Sequence, residues 1–442
     1  LAPHRSGAGR TPRAPAPSTR ARMRRLPPEI WRHACSYGAA TELARVAVVG
    51  TALRDAVAKA VATALRRTGR TTHELYLSER RARSRTSRIA CDSSDLLVVT
   101  TSGRVERRQL GPPPFFSRIT DRWGSLGGLP VVSISAGDEF AVALTVGGFV
   151  YSWGANERGQ LGLGHGEDVV ETPTRIEMLD VASVATGFDY AWCVRADGTA
   201  HCFGNPDDFP SVPESQVTVR EGMRCVQSPA CVWTKARADA LDARVVAACA
   251  GDNANILLTS TGNLIGCGLN SMGELGVGDD EPRRELVHLG GAQLQREYVV
   301  KVSTSLTMHT LAMTADGKLF GFGRNTSGEL DCTANQAYES PKLIPISGVT
   351  DIFAGRDVSY VVRNGTELLC LHGEHGGSRL PGLDGRSVGG MCGGKQRPFY
   401  PDGLLYLASP TQQSDSRTER LYEWTPGEPV DGIDHQAVTD YE

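Results

Sequence analysis

No stretch of this 442-residue chain approaches the ~18 consecutive apolar residues of a membrane-crossing helix. Charge of one sign is lacking too: 47 Lys and Arg face 50 Asp and Glu, a formal net charge of −3. Such a balance gives no general attraction to nucleic acid or acidic lipid. The eleven cysteines are odd in number and have no paired spacing. Most sit in apolar strand contexts (Cys193, Cys249, Cys267, Cys370), which reads as reduced, buried thiols of a cytoplasmic or nuclear protein rather than disulfides. Catalytic signatures are missing as well, with no C-x-x-C pair, H-E-x-x-H helix or G-x-S-x-G elbow. The segment Gly323 to Gly328 has the glycine spacing of a phosphate-binding loop, but Glu329 stands where lysine is required, and an acid there repels phosphate. His372 and His375 flank Glu374 without a third ligand nearby, so no metal site is assigned. The expectation is a protein without catalytic residues, cofactor or metal.

What is present is repetition. Three segments are variants of one pattern: VYSWGANERGQLGLG from Val150, LIGCGLNSMGELGVG from Leu264 and LFGFGRNTSGELDCT from Leu319. Each is a short apolar strand broken by glycine, then Asn, a second turn glycine and Gln/Glu-Leu. A period near ~50 residues signals a repeat architecture. Turn-forming pairs between apolar runs recur at Ser102-Gly103, Gly147-Gly148, Asp197-Gly198, Thr261-Gly262, Asp316-Gly317, Asn364-Gly365 and Asp402-Gly403. Gly, Asn and Asp tolerate the positive φ of tight hairpin turns, so each pair reads as a hairpin in a sheet of roughly four strands, the size of a propeller blade.

The core G-x-N-x-x-G-[QE]-L occupies Gly154, Asn156, Gly159 and Leu161, then Gly268, Asn270, Gly273 and Leu275, then Gly323, Asn325, Gly328 and Leu330. It resembles the regulator-of-chromosome-condensation repeat over about residues 86–442, strongly in three units and weakly in the rest. The resemblance implies a mainly β fold, a seven-bladed β-propeller. Its motif residues are folding residues: glycines for sharp strand exits, Asn for the turn, leucines to plug the sheet interface.

The N-terminal quarter differs. Residues 1–25 hold seven arginines and no acid precedes Glu29, a composition expected to be disordered. The chain opens on Leu1 and Met23 is an alternative start, so localisation is not rested on this tail. Residues 25–70 suggest a small three-helix unit, with Leu53, Val57, Val61 and Leu65 at i, i+4 spacing in the third helix. Leu26-Pro27-x-Glu29-Ile30 and the later cluster Leu43, Val46 and Val49 resemble an F-box, although the tryptophan usual after the valines is missing. That resemblance implies docking on a Skp-type adaptor of a cullin ubiquitin ligase; the alternative is a helical cap on the propeller. Residues 71–88 form a basic linker, ahead of a propeller at 89–442.

In a propeller the strands are scaffold and function concentrates in loops. Two insertions stand out: 111–130, with Phe115, Phe116 and Trp123, and 205–244, with Asp207, Asp208, Phe209, Arg224 and Trp233. Aromatics and arginine are the side chains that anchor protein interfaces. Three functions are open: a substrate receptor of a ubiquitin ligase binding an unknown target protein, an exchange factor for a small GTPase, and a plain scaffold.

Overall fold

A computed structural model describes residues 87–441, apart from 92–94, 101–102, 111–115, 124–125, 209, 211, 242, 253, 306–307, 332–335, 356, 372–377, 380–386, 394–403, 410–418 and 425–439. The strands run in chain order. β1–β4 are Ile89–Cys91, Asp95–Val99, Val105–Leu110 and Phe116–Trp123; β5–β8 are Val131–Ala136, Phe140–Thr145, Val150–Ala155 and Val169–Arg175. β9–β13 are Val181–Thr186, Tyr190–Arg195, Ala200–Gly204, Thr218–Arg220 and Met223–Trp233, followed by a short helix α1 at Lys235–Ala240. β14–β17 are Val245–Ala250, Ala254–Thr259, Leu264–Gly268 and Arg283–His288, then α2 at Gly291–Leu294. β18–β21 are Val299–Thr304, His309–Thr314, Leu319–Gly323 and Tyr338–Ile344; β22–β25 are Val349–Ala354, Ser359–Arg363, Glu367–Leu371 and Ser378–Arg379. β26–β29 are Ser387–Gly393, Leu404–Ser409, Glu419–Trp424 and Asp440–Tyr441.

Every sheet but the third is an antiparallel meander of consecutive strands, the third running β9-β10-β11-β13-β12, and the first strands β1, β5, β9, β14, β18 and β22 pack in succession around an axis. This is a mainly-β propeller. Side-chain packing is described for six blades, β1 through β25, not the seven expected; residues 387–441 add a seventh sheet, β26–β29, described by its backbone pairing and by the contact of β26 with β1. The strand near Leu421 pairs with β27 and β29 inside that last sheet, so it does not complete the first blade. The three-helix unit and every F-box-like residue lie in 1–86, outside the described residues.

The core lies between blades. One cluster joins β5–β8 to β9–β13 and β14–β17 through Leu161, Trp192, Phe203 and Ile265; others join the following pairs through Leu275 with Phe322, and Leu330 with Ile352. A four-stranded sheet has two apolar faces, and only its neighbours can cover both. Among the described residues no helix is long and apolar enough to cross a membrane.

Five successive blade junctions carry the same backbone stitch. The first residue of the inner strand donates its N–H to the hairpin glycine of the blade before: Val131 to Gly103 O, Val181 to Gly148 O, Val245 to Gly198 O, Val299 to Gly262 O and Val349 to Gly317 O, at 2.9 to 3.2 Å. Within a blade the same hairpin also donates to the residue that precedes the blade's own first strand, as Ala196 N–H does to Asp180 O at 2.7 Å. The turn glycine therefore has two reasons to exist. At Gly198 the φ is +88°, and a Cβ would lie 2.5 Å from Arg244 Cβ of the next blade. Hairpin chemistry was legible in the sequence; the junction built on it was not.

Candidate functional site

The face opposite these stitched hairpins carries the first-to-second-strand turns and the third-to-fourth-strand loops of the blades. Three of those loops are the sequence repeat, and they share one hydrogen-bond plan. The Asn side-chain oxygen accepts the N–H of the motif leucine: Leu161 N–H to Asn156 Oδ1 at 3.2 Å, Leu275 to Asn270 at 2.9 Å and Leu330 to Asn325 at 2.8 Å. Its Nδ2 donates across the loop, from Asn156 to Glu167 O and from Asn270 to Asp279 O. The Gln/Glu carbonyl or carboxylate caps the same loop, accepting from the backbone N–H of Arg158, Met272 and Ser327. Gln160, Glu274 and Glu329 are all buried. The leucines are buried plugs, as the motif implies, and the loops are self-contained.

Two of these caps are carboxylates with an oxygen left over. Glu274 Oε1 is buried without a hydrogen-bond partner, and burial raises the carboxyl pKa against the lowering effect of backbone N–H groups, Met272 first among them. A raised acid pKa means the folded state loses stability as pH climbs from the unfolded carboxyl value through the folded one. Glu274→Gln, the residue found at 160, is expected to raise stability by about 1 kcal/mol at pH 7. The gain should vanish below about pH 4, where both states hold the proton. Calorimetric melting of both proteins at several pH values checks this; equal melting at pH 7 would sink it.

In the third blade the repeat pattern ends at Asn205, and something else is built. β13 takes the fourth-strand position against β11, and its first residues pair with β12 to make a β-hairpin beyond the end of the sheet. The turn holds Glu221 at φ +47° and Gly222 at φ +81°. Val-Thr-Val-Arg, Glu-Gly, Met-Arg-Cys-Val is itself a legible hairpin signal, strand pattern either side of a turn pair. Val219 on this arm is 69% exposed, the most exposed large apolar side chain among the described residues. Arg220 Nη2 donates to Asp168 Oδ1 of the second blade's loop at 2.9 Å and to Gly166 O. Arg224 bridges Asp207 at 3.2 Å and Glu214 at 2.9 Å. Such exposed pairs orient the arm and contribute at most about 1 kcal/mol each.

At the root of the arm, two carboxyl groups meet. Asn205 Nδ2 donates to Asp208 Oδ2 at 2.8 Å and to Asp189 Oδ2 at 3.2 Å. Asn255 Nδ2, from β15, donates to the backbone oxygen of Asp208 at 2.5 Å, while Trp192 Nε1 donates to Asn255 Oδ1 at 2.7 Å. Burial, then a hydrogen bond and repulsion from Asp189, push the Asp208 carboxyl up to about 8. Burial followed by the nearby Asp208 charge raises Tyr190, whose hydroxyl donates to Gly251 O at 2.7 Å.

The residues expected to bind partners divide. Asp207, Asp208 and Arg224 come together on this face. Phe209 and Phe115 lie outside the described residues. Phe116 and Trp123 are corrected from loop to strand: they open and close β4, in register with Leu110 and Val105 of β3. Residues 116–123 of the aromatic-rich insertion are the first blade's fourth strand, hidden in the sequence by the prolines and glycines around them. Trp233 is corrected more severely: it ends β13 and is 1% exposed in the core shared with Trp192 and Phe203. No base is available at His309 either. It is buried between Ser305 Oγ at 2.9 Å and Ser359 Oγ at 3.0 Å, and burial lowers it to about 3.

Comparison with known proteins agrees with this architecture. Residues 147–194 match the regulator of chromosome condensation (RCC1) repeat, and residues 131–160 and 299–329 match a second description of that repeat. The first match spans β7 through β10, so one sequence repeat straddles two blades. The chain is 29% identical over 228 residues to the ultraviolet-B receptor UVR8 of Arabidopsis thaliana, covering 49% of this chain and 46% of that protein. It is 30% identical over 195 residues to the secretion-regulating guanine nucleotide exchange factor of Bos taurus, covering 41% of this chain and 37% of that protein. It thus spans less than half the length of either relative. Among solved structures, human WBSCR16 shares the fold with a TM-score of 0.55 at 18% identity, covering 72% of this chain and 85% of the other. Residues 131–194 and 299–329 thus match the RCC1 repeat, and the chain shares a propeller fold with that solved structure.

Proposed function

We propose that this chain is a protein-recognition propeller that engages a partner protein through the loop face of its third blade, with the β12–β13 arm as the docking element. The observation that carries the proposal is the arm itself. The repeat loops of the second, fourth and fifth blades fold back on their own Asn and Gln/Glu side chains, whereas the third blade projects a hairpin with Val219 uncovered and Arg224 directly opposite it on the partner strand. An exposed apolar side chain beside an arginine on a rigid scaffold is the makeup of an interface anchor.

A second reading, exchange on a small GTPase, is favoured by the similarity to a relative named as a guanine nucleotide exchange factor. An exchange factor needs a projecting element that binds the nucleotide-free state better than the loaded one, and the arm has that form. The ubiquitin-ligase reading rests on Leu26 to Val49 alone. It gains no further support.

The full chain, its double variant Val219→Asp with Arg224→Glu, and a control Leu343→Asp on β21 should be compared by affinity capture and quantitative mass spectrometry. A genuine partner is expected to fall at least tenfold with the arm variant and to persist with the control. Equal recovery from all three would remove the arm as docking element. If the partner is a GTPase, accelerated nucleotide release lost in the arm variant separates exchange from plain scaffolding.

A further inference from the structure

Asp189 and Asp208 occupy a geometry that neither carboxylate satisfies alone. Asp189 lies in the turn between β9 and β10, and Asp208 lies where the chain leaves β11 towards the arm. Asn205 Nδ2 donates to one oxygen of each, so the two carboxyl groups face one another across a single amide. Asp189 Oδ1 is left buried with no hydrogen-bond partner. A proton held on Asp208 supplies the missing donor, since two carboxyl groups this close cannot both stay ionised without cost.

We propose that a proton held on Asp208, facing Asp189, forms a pH-operated latch that ties the root of the arm to the third and fourth blades. The tie to the fourth blade is the Asn255 bond to Asp208 O, held in turn by Trp192. Other charged groups around the pair do not replace the proton. Arg158, from the second blade's loop, reaches only 3.8 Å from Asp189 Oδ2 and is itself partly exposed. Asp207, next in the same loop, adds negative charge near Asp208 and spends part of it on Arg224. Asp252, in the β14–β15 turn, adds more negative charge on the Tyr190 side. Loss of the proton thus leaves two anions against one distant arginine.

The direction follows from linkage. The latched state binds the proton more tightly than a released state with an ordinary aspartate value near ~4. The latch is therefore fully closed below about pH 4, loosens by up to about tenfold per pH unit up to its own titration near 8, and then levels off. Its value for partner binding rests on the arm being the docking element; the latch does not.

Amide hydrogen exchange of residues 214–226 in the full chain, corrected for intrinsic base catalysis, reads the latch directly. Protection in the wild type should fall by up to about tenfold per pH unit from pH 5 to 8, while β17 stays level. Asp208→Asn keeps a donor towards Asp189 Oδ1 at every pH and should remove the slope. A flat wild-type profile, or an unchanged slope in Asp208→Asn, would overturn the latch. If that variant misfolds, Asp189→Asn is scored in the same way, and the wild-type slope still decides. Because no partner enters the measurement, its failure is distinguishable from failure of the docking proposal.

Discussion

Replacing Trp233 with alanine is expected to cost about 3–5 kcal/mol and to lower the melting temperature of the whole propeller, as large-to-small substitutions of a buried aromatic do. Trp233 packs in the cluster that joins the second, third and fourth blades, so the cavity would sit at a blade junction rather than on a surface. The ring also carries the Arg237 guanidinium over its face, 4.5 Å from the centroid. Its Nε1 is buried without a hydrogen-bond partner. That detail makes Trp233→Phe informative. The smaller ring loses packing but also removes an unpaid N–H, which offsets part of the loss. The expected order of melting temperatures is therefore wild type, then Phe closely below, then Ala far below. Val219→Asp on the arm should leave melting within about 0.5 kcal/mol of wild type, because it touches no core. If Trp233→Ala melted like wild type, the burial described for this residue would be wrong.

Gly323→Ala should be comparably damaging, at about 3 kcal/mol or more, although it adds a single methyl group. Gly323 ends β20 at φ +95°, and a Cβ there would lie 2.3 Å from Met308 O and 2.9 Å from His309 Cα. Both neighbours are backbone and cannot swing aside. The strain of the left-handed conformation adds to the overlap. The same approach recurs at Gly154 against Glu139 O, at 2.2 Å, and at Gly204 against Asp189 O, at 2.4 Å. In each case the next residue donates its N–H to that same carbonyl, as Arg324 does to Met308 O at 2.8 Å. Gly365→Ala is the control: φ is +79°, but nothing lies within 4 Å of the added carbon, so only the conformational cost of about 1–2 kcal/mol remains. Scanning calorimetry of the two variants beside wild type separates overlap from strain; equal losses would mean that close approach is not what holds Gly323 in place.

The contrast between these glycines shows where local information stops. Residue order alone determined the strand–turn rhythm, the positive-φ hairpin positions and the Asn and Leu of the repeat loop. Those features depend on φ preference and on periods of a few residues, which a chain carries in its own neighbourhood. Trp123 and Trp233 look alike on that basis, both aromatic residues in a segment that interrupts the repeat. Only the tertiary structure assigned Phe116 and Trp123 to β4 and buried Trp233 at a blade junction. It also turned hairpin glycines into acceptors for the next blade, made a β-hairpin arm out of the third blade's irregular segment, and set Asp189 against Asp208 with Asn255 behind them. Burial, proton affinity and close approach are properties of what surrounds a group in space, and in a propeller most of those surroundings come from the next blade, about fifty residues away in the chain.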